Sequence, residues 1–348
     1  MGRGGAERTM LNLANGFQAE GYPVEFVAMR RLDEPRAIPH LPVSYLGVDR
    51  ASSSVQPLAR YLREKRPEVL ISNLYHTNVA AVLAKHVSRS RTRLLLVNHN
   101  PLSVIAEHAG WRNKAMPYAV RVLYPKADRI IAVSQGVADD IIRTCRFSTG
   151  KVNVYVAFNP AIGPDLESQA RESVDEPILR GEYVLAVGSL NRQKDFSMLL
   201  RAFAQLLESR PSRLLILGEG GQRRALENLM RDLEIEESVA MPGNVDNPYP
   251  YMARARLFVL SSLWEGLPTV LIEAMALGTP VVATDCLAGP SEILQGGKWG
   301  TLVAPGNYSQ LSDAMLEMLQ SPIVPPPEAC QRFTLGATTR RYLELAFG

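Results

Sequence analysis

The chain has 348 residues, of which 46% are hydrophobic and 21% charged, with a formal net charge of +3. That length exceeds one ordinary domain and suits two, each able to bury its own core. So small a charge, without helix-turn-helix, zinc-finger or aromatic-basic patterns, argues against nucleic acid as a partner. No apolar run is long enough to span a bilayer. The three cysteines, Cys145, Cys286 and Cys330, are too scattered for a disulfide framework or a thiolate zinc site.

The opening stretch, Met1-Gly2-Arg3-Gly4-Gly5-Ala6-Glu7-Arg8, lacks the apolar core of a signal peptide and the hydroxyl residue of a myristoylation site. The expected location is therefore the cytoplasm. A helical pattern follows at once in Met10, Leu11, Leu13, Ala14 and Phe17, ending near Gly21. A strand is expected before that helix and is not found, which predicts a gap or an ill-supported centre in the first sheet. Gly4 and Gly5 let the backbone approach a diphosphate closely; a disordered start is the competing reading.

Strands are expected at Val24–Met29, Val43–Leu46, Glu68–Ser72, Arg93–Asn98, Ile130–Val133 and Val152–Val156, with helices at Pro57–Arg66, Thr77–Ser88 and after Ser134. This alternation predicts a parallel sheet covered on both faces. Ligands of such sheets lie beyond the carboxyl ends of the strands, which selects His76, Asn78 and Asn100 on the acceptor side, and His99. His99 ends a buried strand directly. Between Trp111 and Arg129, five cations interleave with apolar residues against a single acid, Asp128. That pattern suits a peripheral membrane surface or a helix with a solvated basic side.

Asn159–Gly181, rich in proline and acids, reads as the linker. The strand Tyr183–Gly188 then delivers Arg192 and Lys194 into a loop, and the strands Leu214–Gly218 and Val239–Gly243 end in further loops, the second leading to Val245. Arg256–Leu260 reads as a buried strand ending at Ser261-Ser262. The following helix is expected from Pro268, at its first position, to Leu277, with Gly278 past its end and Pro280 blocking continuation. Its free amides, from Thr269 onward, make an anion site. Glu265 lies in the loop before it and Glu273 more than one turn inside. Acids beside a phosphate site are better used to accept hydroxyls.

Glu265 and Glu273, in the setting Glu-Gly-Leu-Pro…Glu-Ala-Met-Ala-Leu-Gly-Thr-Pro-Val-Val-Ala-Thr, resemble the glutamate pair of the retaining family 4 glycosyltransferases. The resemblance implies an α/β fold of GT-B architecture, with two Rossmann-like doubly wound parallel-sheet domains facing a cleft. It divides the chain into an acceptor domain (1–165), a nucleotide-sugar domain (166–325) and a helix, about Glu328 to Ala346, within a segment (326–348) that crosses back. It implies transfer of a sugar, with retention, from a nucleotide sugar to a hydroxyl of a glycan or lipid-linked acceptor, in bacterial cell-surface polysaccharide or glycolipid synthesis. UDP-sugars, UDP-N-acetylhexosamine among them, are the favoured donors, and work on lipid-linked acceptors suits the inner face of the cell membrane.

By the same resemblance Glu273 holds the ribose, and Glu265 the donor-sugar hydroxyls. Arg192 and Lys194 grip the diphosphate, while Gly266, Leu267, Pro268 and Thr269 surround sugar and phosphate. Val245 lies near the base and His99 near the anomeric carbon. Asp195 stands where relatives often have glycine. No cofactor is expected, and without an Asp-x-Asp motif no metal. The other readings are a nucleotide-sugar epimerase, whose acid and histidine cluster is not found, a nicotinamide dehydrogenase, whose glycine fingerprint is absent, and a non-catalytic nucleotide-binding remnant or partner subunit.

Overall fold

The computed structural model describes residues 5–30, 41–107, 111–148, 152–174 and 181–348. The chain forms two compact units, Met1–Pro160 with Leu335–Gly348, and Ala161–Thr334.

In the first unit, α1 (Gly5–Ala19) leads to a parallel pair, β1 (Phe26–Ala28) and β2 (Val43–Tyr45). The chain continues through α2 (Val55–Lys65), β3 (Val69–Asn73), α3 (Tyr75–Ser88), β4 (Arg93–Asn98), α4 (Leu102–Glu107), α5 (Trp111–Lys114), α6 (Met116–Leu123), β5 (Arg129–Ala132), α7 (Gln135–Cys145) and β6 (Val154–Val156). β3, β4, β5 and β6 form a separate parallel sheet in that order. Among the described residues nothing hydrogen-bonds β1 to β3, so the first sheet has the expected gap. In a doubly wound sheet the strand that feeds the first helix lies between those two. β3 is half-buried along its whole length, whereas its neighbour β4 is buried after its first residue.

One expected element is divided in this unit. The stretch from Trp111 to Arg129 is not one amphipathic element: α5 and α6 are followed by a 3-10 turn, Tyr124–Lys126, and Arg129 already belongs to β5. Pro125 lies inside that turn, where it cannot supply the amide a continuing helix requires. Asp128, the single acid of that stretch, pairs with Lys85 and accepts the Leu94 amide at 2.7 Å. On α6, Tyr118 and Val122 are exposed one turn apart, while Met116 and Val120 are buried.

The second unit begins with α8 (Leu166–Ala170), inside the stretch expected to be linker. There follow β7 (Val184–Val187), α9 (Phe196–Ser209), β8 (Leu214–Leu217), α10 (Arg223–Asp232), β9 (Val239–Gly243), α11 (Tyr249–Arg254), β10 (Leu257–Leu260), α12 (Thr269–Ala276), β11 (Val281–Thr284), α13 (Pro290–Ile293), β12 (Thr301–Val303) and α14 (Tyr308–Gln320). Its sheet is parallel, in the order β12-β11-β10-β7-β8-β9. Apolar residues on both faces of these strands, such as Leu185 and Ala186 or Phe258 and Val259, are buried, as a sheet covered by helices on each side requires.

The units divide at Pro160/Ala161 rather than at 165, because the Ala161 and Ile162 amides both donate to the Phe333 carbonyl. The expected final helix is two elements. A 3-10 segment, Pro327–Phe333, stays with the second unit and α15 (Leu335–Phe347) belongs to the first, with extended Thr334 between them.

Candidate functional site

The second unit's chain runs outward from β7 through β8 to β9, then crosses to β10 on the other side of β7 and continues to β11 and β12. Ligands of such sheets bind beyond the strands' carboxyl ends where strand order reverses, at the loops that follow the two central strands. Here those loops are 188–195 after β7 and 261–268 after β10. They carry Arg192, Lys194, Glu265 and the start of α12.

The two loops are tied together. Leu263 donates its amide to the Gln193 carbonyl at 2.8 Å, and the Ser261 hydroxyl donates to the Lys194 carbonyl at 2.7 Å. Within this frame Glu265 is 6% exposed. Its Oε1 accepts from Lys194 Nζ and from Ser262 Oγ, each at 2.6 Å, and its Oε2 from Gln193 Nε2 at 3.3 Å. Gln193 Nε2 also donates to the Trp264 carbonyl at 3.0 Å. Lys194 is thus engaged with Glu265, while Arg192 is exposed. The carboxylate also reaches Cys286, whose thiol is pushed up to about 12 by burial first and by Glu265 second.

Asp195, expected at a position often held by glycine, adopts φ 41°, the left-handed conformation that glycine takes most easily. Its side chain offsets part of that strain by accepting the Met198 amide at 3.3 Å as the cap of α9. Gly188 and Gly218 pack backbone to backbone: a Cβ on Gly218, whose φ is +150°, would lie 1.9 Å from the Gly188 carbonyl oxygen.

Pro268 is the cap of α12 and not its first helical residue; with ψ 98° it is still extended, and the helix starts at Thr269. Gly266, Leu267 and Pro268 are buried. The turn at Gly289 presses on them so closely that a Cβ there would stand 2.6 Å from Pro268 Cδ. Glu273 is 3% exposed and accepts from the Tyr249 hydroxyl at 3.3 Å. Val245, half-buried, follows β9 in the loop that leads to Asn247 and α11.

In the first unit His99 directly follows β4 and is 8% exposed, with no hydrogen-bond partner at Nε2 among the described residues. Burial lowers its pKa to about 4, so the imidazole is neutral near pH 7. The next turn is fixed from both sides: the Tyr75 hydroxyl donates to the Asn100 carbonyl at 2.8 Å, and buried Asp140 accepts from the Ser103 amide at 3.0 Å and hydroxyl at 2.7 Å. Asn78, expected on the acceptor side, is instead fully buried and donates to the Val97 carbonyl at 3.0 Å and to Tyr124 at 3.1 Å. It braces the sheet. His76, two residues earlier, is exposed. Gly5 begins α1 instead of lying in a loop, and Gly4 lies outside the described residues.

Sequence reasoning missed Gln193, Ser262 and Tyr249 as partners of the two glutamates. Gln193 stood between two selected residues, Arg192 and Lys194, which was a usable signal; Tyr249 is 24 positions from Glu273 and carried none.

The family model described as "Glycosyl transferases group 1" matches residues 169–339, and "Glycosyltransferase Family 4" matches residues 3–155. A Campylobacter jejuni N-acetylgalactosamine-N,N'-diacetylbacillosaminyl-diphospho-undecaprenol 4-alpha-N-acetylgalactosaminyltransferase is 31% identical over 71% of this chain and 66% of its own length. The amylovoran biosynthesis glycosyltransferase AmsD of Erwinia amylovora is 27% identical over 84% of this chain and 80% of its own. The structure of Anabaena Alr3699/HepE in complex with UDP and glucose superposes with a TM-score of 0.78 at 20% identity, over 99% of this chain and 96% of that one. Matched in both halves, with two parallel-sheet α/β domains, the chain belongs to the family 4 glycosyltransferases of GT-B fold.

Proposed function

We propose that the protein transfers a sugar, a UDP-linked N-acetylhexosamine first among candidates, to a hydroxyl of a glycan or lipid-linked acceptor in polysaccharide or glycolipid synthesis, with retention at the anomeric carbon. The observation that carries the reading is buried Glu265, held by a lysine, a serine and a glutamine where strand order reverses. The names of the relatives that act on undecaprenyl-linked glycans and in amylovoran synthesis support the acceptor class, and a neighbour bound to UDP supports the nucleotide.

In this reading Glu265 accepts donor-sugar hydroxyls and Glu273, braced by Tyr249, accepts the ribose hydroxyls. Arg192, Lys194 and the amides that open α12 stabilise charge on the departing diphosphate, the work that a divalent ion does elsewhere. Metal independence is part of the proposal. As the bond between the anomeric carbon and the phosphate oxygen breaks, the acceptor oxygen bonds to the same face of that carbon and its proton passes to the leaving diphosphate. His99 is the first unit's candidate for contact with the reacting sugar, since its neutral imidazole can donate or accept one hydrogen bond. A peripheral membrane surface is favoured by exposed Tyr118 and Val122 on α6, with Arg121 between them.

The test is the thermal midpoint with UDP, GDP or NAD, followed by UDP release from a panel of UDP-sugars in the presence and absence of EDTA. UDP at 100 times its dissociation constant adds about 2.7 kcal/mol, a gain that Glu273→Ala should lose. Turnover that survives EDTA supports the full reading. UDP binding without turnover on any sugar points to the non-catalytic reading, and loss of turnover in EDTA refutes metal independence.

A further inference from the structure

One side chain between the two loops has no part in the proposed roles. Gln193 lies between Arg192 and Lys194 and is half-buried, and its amide nitrogen faces two acceptors on consecutive residues. A primary amide carries two N–H donors. One meets the main-chain carbonyl of Trp264 at 3.0 Å and the other meets Oε2 of Glu265 at 3.3 Å. The same residue's carbonyl accepts the Leu263 amide at 2.8 Å. Three successive residues of the loop after β10 are thereby gripped by one residue of the loop after β7.

The two oxygens of Glu265 are not equivalent. Oε1 takes a hydroxyl and an ammonium donor, each at 2.6 Å, so its two lone-pair directions are filled. Oε2 takes the longer Gln193 bond and, among the described residues, keeps a lone pair for a further donor. We propose that Gln193 is a positioning residue: by holding Oε2 and the Trp264 carbonyl together, it aims the remaining lone pair of Glu265 at a hydroxyl of the donor sugar and so governs sugar selectivity. The inference rests on the donor-site reading of Glu265. It assigns to Gln193 no contact with the nucleotide, and so separates sugar recognition from nucleotide recognition within one loop.

That separation is what the experiment reads. Calorimetric affinities for UDP and for UDP-glucose, UDP-N-acetylglucosamine and UDP-N-acetylgalactosamine are measured on wild type, Gln193→Leu and Gln193→Glu, with kcat and KM for the sugar that wild type turns over. Gln193→Leu keeps the volume and removes both donors. The expected result is unchanged affinity for UDP and affinity for the preferred UDP-sugar lowered about tenfold, the cost of one hydrogen bond to a charged group. Discrimination among the three sugars should narrow. Gln193→Glu, which sets a carboxylate against Glu265, should lower kcat/KM further while still binding UDP.

Wild-type affinity and selectivity in Gln193→Leu would overturn the proposal. So would an equal loss for UDP and UDP-sugar, which would mean that the residue only supports the loop. A wild-type protein that binds UDP but gains nothing from any attached sugar would instead sink the donor-sugar role of Glu265, and the inference with it.

Discussion

Lys194 Nζ and Glu265 Oε1 stand 2.6 Å apart, with only 15% and 7% of their side chains exposed. A pair so withdrawn from water is costly to break on one side, because the surviving charge keeps its burial and loses its partner. Lys194→Met should therefore destabilise the second unit by about 3 kcal/mol. Adding Glu265→Gln should restore a large part of the loss. Denaturant unfolding of the two single variants and the double variant reads this, and a double variant no more stable than Lys194→Met would refute it.

His99 supplies a pH dependence with a defined sign. Its folded pKa, about 4, lies below the ordinary 6.5 because burial disfavours the charged ring. Between those values the unfolded chain binds the proton and the folded chain does not, so acidification favours unfolding. The contribution is fully present above pH 6.5 and is lost as pH falls toward 4. His99→Gln should show a shallower fall in thermal midpoint over that window than wild type; parallel curves would mean that the imidazole is not withdrawn from water.

Leu74 has φ 69° and ψ 138°, a backbone conformation suited to glycine, and its side chain is exposed. Such strain in a non-glycine residue costs about 1–3 kcal/mol. Leu74→Gly should raise the thermal midpoint despite the greater freedom that glycine gives the unfolded chain. Should the midpoint fall, the Leu74 side chain contributes more to stability than its backbone costs.

How much of this was legible beforehand depended on whether a signal was local. The α12 junction could be read because proline, glycine and a buried strand punctuate it within a few residues, although Pro268 proved to be the cap. The carboxyl end of β4 could be read for the same reason, which drew attention to His99. Asn78 misled because its distance from His76 says nothing about direction. Two positions along a helix turn a side chain by more than half a turn, and here the turn carries Asn78 from solvent to the Val97 carbonyl. The grip of Gln193 on Glu265 joins residues 72 positions apart and depends on β7 lying beside β10, which only the sheet order reveals.

The close approach of Gly188 and Gly218 gives a fourth prediction. Any side chain at Gly218 would collide with main chain, which cannot move aside as a flexible side chain can. Gly218→Ala should yield a protein of much lower midpoint, with the response to UDP lost. Gly221→Ala, three residues away with open space around its Cβ position, should be tolerated in both respects. Equal behaviour of the two would show that the backbones at Gly188 and Gly218 have room to separate.

The last helix has a consequence for how the molecule is made. Gly16 on α1 lies so near Thr339 on α15 that a Cβ there would fall 2.1 Å from the threonine hydroxyl, and the first unit includes Leu335–Gly348. On a ribosome, the segment that seals that unit emerges only after the whole of Ala161–Thr334 has been synthesised. The second unit, contiguous in the chain, can fold while translation continues; the first must wait, with the face of α1 uncovered, until Leu335–Gly348 has also been made. A chain cut before Leu335 would then keep the later-made unit and strand the earlier-made one.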